Sequence, residues 1–171
     1  YQNACELEGG VPLYGIDVGA GPCTPFAKEM YPHRIKYVAD QMLDSIEWME
    51  KITGRKYNDE LFIQAAWDDI RSTHTWAKIC MLNRAVPAPL DEKTIYSLYV
   101  FGVLQKSNHD FANFYENDLL PEVQDRVERG IAATPNEQGR VMTDTQPPWG
   151  FLKIYRYLES WGVVSIGSLY T

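Results

Sequence analysis

Two short apolar runs near the end of the chain, 140–143 (Arg140-Val141-Met142-Thr143) and 163–166 (Val163-Val164-Ser165-Ile166), bracket a helical stretch from Trp149 to Trp161. A helix between two strands returns the chain to the same end of the sheet, so the strands pair in parallel and the crossover is expected to be right-handed. Within the stretch Phe151, Leu152, Ile154, Tyr155 and Leu158 can face a sheet, and Gly162 ends it. An earlier run, Val11 to Val18, follows Gly9-Gly10 and is short, largely apolar and tolerant of a proline near its start. It reads as a further buried strand. The next stretch, Gly19-Ala20-Gly21-Pro22-Cys23-Thr24-Pro25, is loop by composition. The fold class is therefore α/β.

Between these elements the pattern is helical. Ile35, Val38, Met42, Ile46 and Met49 fall three or four apart and predict one helix over 31–53, stopped at Gly54. Asn58 can cap a second helix running to about Asn83 through Leu61, Phe62, Ala65, Ala66, Ile70, Trp76, Ala77, Ile79 and Cys80, with Cys80 as core. Val86-Pro87-Ala88-Pro89 breaks it. Asp91 caps a third, carrying the aromatic run 96–101. Further helix follows over 110–115, and another capped at Asn117 or Asp118 with Pro121 in its first turn, ending at Gly130. The acidic runs Asp68-Asp69 and 122–128 read as solvated faces. This divides the chain into residues 1–30 (strand and loop closing an α/β domain), 31–132 (helical midsection) and 133–171 (β-α-β start of a second α/β domain). The chain begins at Tyr1 rather than Met and ends just after a strand, which together point to a fragment of a longer protein.

The 171 residues are 45% hydrophobic and 23% charged, enough apolar surface for a real core. A net charge of −7 argues against nucleic acid or an anionic membrane as the main partner, since both need a basic face. No apolar window reaches membrane-spanning length and no signal peptide is visible, so a cytoplasmic location is expected. Cys5, Cys23 and Cys80 form no Cys-x-x-Cys pair and read as free thiols in a reducing compartment. His33, His74 and His109 stand on different elements with no metal-ligand spacing. Gly-rich nucleotide fingerprints and a nucleophile elbow are absent from the sequence.

The best local site is Asp144-Thr145-Gln146-Pro147-Pro148-Trp149, between a strand and a helix. Backbone N–H groups at such a turn favour an anion or carbonyl oxygen. Thr145 is a candidate cap, and Trp149 offers an aromatic face to a planar ligand. Asp17, at the carboxyl end of the first strand, stands where open α/β sheets bind ligands.

The residues taken together carry a family resemblance. The stretches 32–41 and 46–56 resemble the central helix pair of the benzoyl-CoA reductase and 2-hydroxyacyl-CoA dehydratase family. Val86-Pro87-Ala88-Pro89-Leu90 resembles its proline break, and 122–131 followed by Pro135-Asn136-Glu137 and Arg140 resembles its E-V-x-x-R-V … P-N-E-x-x-R stretch. Pro147-Pro148-Trp149 and the closing 165–171 look closest to the benzoyl-CoA reductase branch. The resemblance implies flavodoxin-like parallel-sheet elements with a long helical midsection, within a two-domain iron–sulfur subunit. In such a subunit three cysteines hold a 4Fe-4S cluster. By this likeness two of them fall before Tyr1 and the third after Thr171, so Cys5, Cys23 and Cys80 are not cluster ligands and this chain carries no metal ligand of its own. The implied partners are a sister subunit of the same family, activator subunits that hydrolyse ATP, ferredoxin and an acyl-CoA substrate. The implied reaction is reduction of the ring of benzoyl-CoA to a cyclic diene, with Asp17, Asp144, Gln146 and Trp149 lining or supporting the pocket. Two alternatives are a 2-hydroxyacyl-CoA dehydratase subunit, with radical loss of water, and a non-catalytic helical subunit-interaction module.

Overall fold

The computed structural model describes residues 2–18, 27–144 and 146–170. The expected loop 19–25 with Cys23, and the candidate cap Thr145, lie outside them. Among the described residues the chain is mostly helical with one small parallel sheet, an α/β arrangement. It forms two compact units, Tyr1–Asp59 and Glu60–Thr171.

The first unit holds α1 (Gln2–Leu7) and α2 (Ala27–Thr53). Residues 11–18 between them are not a strand. A strand exists only as one side of a ladder, and no described neighbour in this unit supplies the other side. The side chain of Gln41, on α2, does so instead. Its Oε1 accepts from Asp17 N–H at 2.8 Å and its Nε2 donates to Asp17 O at 2.9 Å. Tyr14 adds a hydroxyl bond to Gln41 O and a tilted ring contact with Trp48. The α2 stop falls at Gly54 as expected. Glu50 closes that end by accepting from Tyr57 N–H and Lys56 Nζ, both at 2.8 Å, and the Lys56 bond holds its carboxyl below the usual range. The helix starts earlier than the sequence predicts, so Pro32 sits inside it and leaves one ladder bond unmade. Of the predicted stripe, Ile35, Met42 and Met49 are exposed.

The second unit is built on α3 (Asp59–Leu82), whose buried face is Asp68, Ser72, Thr75 and Ile79, spaced for one side of a helix. That stripe is mostly polar, whereas Leu61, Phe62, Trp67 and Ile70 are exposed. Asp68 is thus a correction to the solvated face read from the sequence. It is 3% exposed because it has partners: Arg71 Nη1 at 2.9 Å and His109 Nδ1 at 3.1 Å. Arg71 continues to Glu116 (Nη2, 2.5 Å) and Asn113 (2.9 Å), joining α3 to α5 (His109–Phe114) and the segment after it. The Arg71 guanidinium holds the Glu116 carboxyl below its usual range. Arg71→Met leaves Asp68 buried with only His109, and a loss of roughly 2 kcal/mol is expected in chemical denaturation. The sign for Glu116 follows from its depressed value. Its contribution is present above the ordinary carboxylate range and is lost as pH falls through the folded-state value. The acid limb of the stability curve should therefore be shallower in the variant.

Helix α4 (Glu92–Gln105) is capped as expected, Asp91 Oδ1 accepting from Thr94 N–H at 2.8 Å. The predicted cap at Asn117 or Asp118 is not used. The chain runs from α5 through a π-helical turn, Tyr115–Leu119, into α6 (Leu120–Glu128) without a break. Pro121 is the physical reason, because it has no N–H for the carbonyl four residues back and its ring crowds that oxygen; a wider turn accommodates both. At the far end Gly130 N–H bonds Val127 O and Ile131 N–H bonds Arg126 O, a Schellman close around a left-handed glycine. The core is Ile79, Leu90, Ile95 and Val123, with Trp76, Leu82, Leu119 and Leu120 packed against it.

The β-α-β unit forms as read. Strand β1 (Gly139–Thr143) pairs in parallel with β2 (Val163–Ser168), Gly139 opposite Val163 and Val141 opposite Ser165, with an irregularity between Val141 and Thr143. The helix between them is shorter than predicted: a 3-10 turn, Trp149–Phe151, precedes α7 (Lys153–Ser160). Pro147-Pro148 and Gly150 delay regular helix. The Pro-Asn-Glu-x-x-Arg stretch now has a structural reason. Glu137 accepts from Ala88 N–H at 2.7 Å and pairs with Arg140 at 2.5 Å, and Arg140 donates to the carbonyls of Arg84 and Ala85. The two side chains clamp the proline break onto the start of β1.

Candidate functional site

Three of the predicted site residues share one loop at the carboxyl end of β1. Asp144 and Gln146 are exposed, and Trp149 is 47% exposed with its ring tilted against Tyr96 at 5.8 Å. The backbone donors expected there are partly spent. Trp149 N–H bonds Pro147 O and Phe151 N–H bonds Pro148 O, both at 2.8 Å. Asp17 lies in the other unit, exposed, with the Tyr37 hydroxyl 3.4 Å from its carboxylate; with no strand at 11–18, it stands at no strand end.

Beneath the loop sits a polar group that periodicity does not reveal. The Tyr96 hydroxyl is 3.1 Å from Thr143 Oγ1, at the last residue of β1. Tyr155, on α7, packs on the same ring at 5.9 Å, and burial, then Tyr96, pushes its hydroxyl pKa upward. Glu92, 1% exposed in the first turn of α4, accepts from Ser165 Oγ on β2, while its other oxygen has no partner. The aromatic run at 96–101 is the sequence signal for this, and it splits: Tyr96 is buried while Phe101 is 60% exposed.

The main concavity of this unit lies nearby and holds none of the predicted residues. It is a cleft of about 530 Å³ walled by α3 (Trp76, Ala77, Cys80, Met81), α4 (Tyr99, Gly102) and the strand ends (Met142, Ile166, Gly167, Ser168), with Ser72, Thr73, Lys106 and Tyr115 completing it. Volumes of roughly 300–1,000 Å³ are usual for small-molecule sites. Cys80 is half-buried there rather than fully in the core. Burial, with Glu92 nearby, pushes its thiol up to about 11. The thiol is therefore protonated at neutral pH. Alkylation of Cys80, followed by mass spectrometry of its peptide, should be slow at pH 8 and should keep accelerating until about pH 11.

A 4Fe-4S cluster needs thiolates. The described cysteines are Cys5, in the first unit, and Cys80, in the second, and among the described residues no group of three or more His, Cys, Asp or Glu can hold a metal. These residues do not fit the cluster. Among the described residues no helix is long and apolar enough to cross a membrane.

A parallel β-α-β unit on a helical layer, with an apolar cleft at its strand ends, defines the class as an α/β fold. The chain belongs to the 2-hydroxyglutaryl-CoA dehydratase D-component family, whose model matches residues 1–171. It is 28% identical over 162 residues to the α subunit of (R)-2-hydroxyglutaryl-CoA dehydratase from Acidaminococcus fermentans, covering 94% of this chain and 33% of that protein. It is 28% identical to the lactoyl-CoA dehydratase α subunit of Anaerotignum propionicum (78% of this chain, 30% of that protein). To the (R)-phenyllactyl-CoA dehydratase α subunit of Clostridium sporogenes it is 22% identical (84% and 34%). The chain thus spans about a third of the length of these relatives. All three are dehydratase subunits, which favours the dehydratase alternative over the benzoyl-CoA reductase reading. The closing stretch that suggested the reductase has ordinary structural work: Ser165 bonds Glu92, and Ser168 accepts from Tyr170 N–H.

Proposed function

We propose that this chain is part of an α-type subunit of a 2-hydroxyacyl-CoA dehydratase, an enzyme complex that removes water from a 2-hydroxyacyl thioester. Membership of the family along the whole chain, with dehydratase α subunits as relatives, carries the reading. The complete protein works in the cytoplasm with a sister subunit and activator subunits that hydrolyse ATP, and ferredoxin supplies the electrons. Its 4Fe-4S cluster needs thiolates other than Cys5 and Cys80. Residues 1–30 close one α/β domain of that protein, 31–132 are its helical midsection and 133–171 open the second. Asp144, Gln146 and Trp149 border the acyl-CoA site on the β1–α7 loop. Here the chain's own task is to orient the thioester and exclude water. Anaerobic calorimetry tests the reading: a 2-hydroxyacyl-CoA should bind the subunit more tightly than benzoyl-CoA, with binding weakened in Trp149→Ala. Preference for benzoyl-CoA would restore the reductase reading.

A second, compatible reading rests on the exposed apolar residues. Ile35, Met42, Leu43 and Met49 on α2, and Leu61, Phe62, Trp67 and Ile70 on α3, are more surface than a free-standing protein usually leaves in water. They suit an interaction module that buries these helices against other parts of the complex.

A further inference from the structure

The cleft between α3, α4 and the strand ends is chemically one-sided. Among the described residues its walls carry no carboxylate, and Lys106 is their one charged group, with Nζ 3.8 Å from Asp69. Trp76, Met81, Tyr99, Met142 and Ile166 supply apolar surface, and Gly167 leaves open space where a side chain would stand. Such walls gain by covering an uncharged group, whereas a carboxylate driven among them loses its water and meets only Lys106, which it must share with Asp69.

We propose that this cleft is the acyl subsite of the subunit, taking an uncharged phenyl or branched aliphatic acyl group and rejecting one that ends in a second carboxylate. The proposal rests on the dehydratase reading and sharpens it. The names of the three relatives span a phenyl-bearing, a methyl-bearing and a carboxylate-bearing acyl group, and the cleft selects the first kind. Cys80 serves as a reporter, because it lines the space that the acyl group would fill.

The test uses the subunit containing this chain in its complex. Phenyllactyl-CoA, 4-methyl-2-hydroxypentanoyl-CoA and 2-hydroxyglutaryl-CoA are titrated by calorimetry, and N-ethylmaleimide labelling of the Cys80 peptide is followed alongside. The two apolar thioesters should bind at least about tenfold more tightly than 2-hydroxyglutaryl-CoA, the discrimination that small changes of an apolar group bring. They should also protect Cys80. Gly167→Leu, or Ala77→Phe at an exposed position if the first variant fails to fold, should remove that preference while free CoA binds as before. Tighter binding of 2-hydroxyglutaryl-CoA overturns the proposal, as does binding of apolar thioesters that leaves Cys80 labelling unchanged. Either result leaves the dehydratase reading standing. Failure of a folded complex to bind any of the three overturns both.

Discussion

Asn83→Ala is expected to destabilise the second unit by roughly 3 kcal/mol, a fall in Tm of about 10 °C. Asn83 is 1% exposed and its amide is used on both sides. Nδ2 donates to Leu90 O and Ile166 O, and Oδ1 accepts from Leu90 N–H, all at 3.0 Å. One side chain thus ties the end of α3 to the far side of the proline break and to β2. Truncation leaves the buried N–H and carbonyl of Leu90, and the part-buried carbonyl of Ile166, without that partner. Thermal unfolding followed by circular dichroism measures the effect, and a loss below about 1 kcal/mol would show that water replaces the amide.

Gly162→Ala should cost about as much, for a different reason. Gly162 has φ +72°, and an added Cβ would stand 2.4 Å from Asn136 O and 3.3 Å from Gln138 Cγ. Its own carbonyl accepts from Gln138 N–H and Gly139 N–H, so this is where the entry to β1 meets the entry to β2. Left-handed backbone alone costs an alanine roughly 1–2 kcal/mol. The collision with a backbone oxygen adds to that, giving about 3 kcal/mol or more. Gly54→Ala separates the two terms, since Gly54 has φ +66° and nothing within 4 Å of the added carbon. It should lose only the conformational part. Equal losses at both positions, in denaturant titrations, would mean that the loop at Asn136 yields.

Local pattern carried the β-α-β unit, the helix stops at Gly54, Gly130 and Gly162 and the cap at Asp91, because each depends on residues close in sequence. The failures depend on distant partners. Residues 11–18 look like a strand by composition, yet periodicity cannot supply the neighbour a strand needs. Asp68 reads as solvent-facing until His109, forty-one residues on, and the Arg71 network are seen beside it. Glu92 looks like an ordinary first-turn acid, and only Ser165, seventy-three residues away, explains its burial. Of the site, the Asp144–Trp149 loop was legible as a strand–helix turn. The cleft was not, since its walls come from α3, α4, β1 and β2, which lie far apart in the sequence. The role of Glu137 and Arg140 in the Pro-Asn-Glu-x-x-Arg stretch is likewise set by distant partners, since both hold backbone of the proline break.

The direct measurement of dehydratase activity is turnover by the complete subunit, purified without oxygen together with its sister subunit and activator, supplied with ATP, a reductant and either a 2-hydroxyacyl-CoA or benzoyl-CoA. The expected result for a dehydratase is loss of water from the 2-hydroxyacyl-CoA to give the enoyl-CoA, with benzoyl-CoA unchanged. Reduction of benzoyl-CoA to a cyclic diene, with the 2-hydroxyacyl-CoA unchanged, would contradict it.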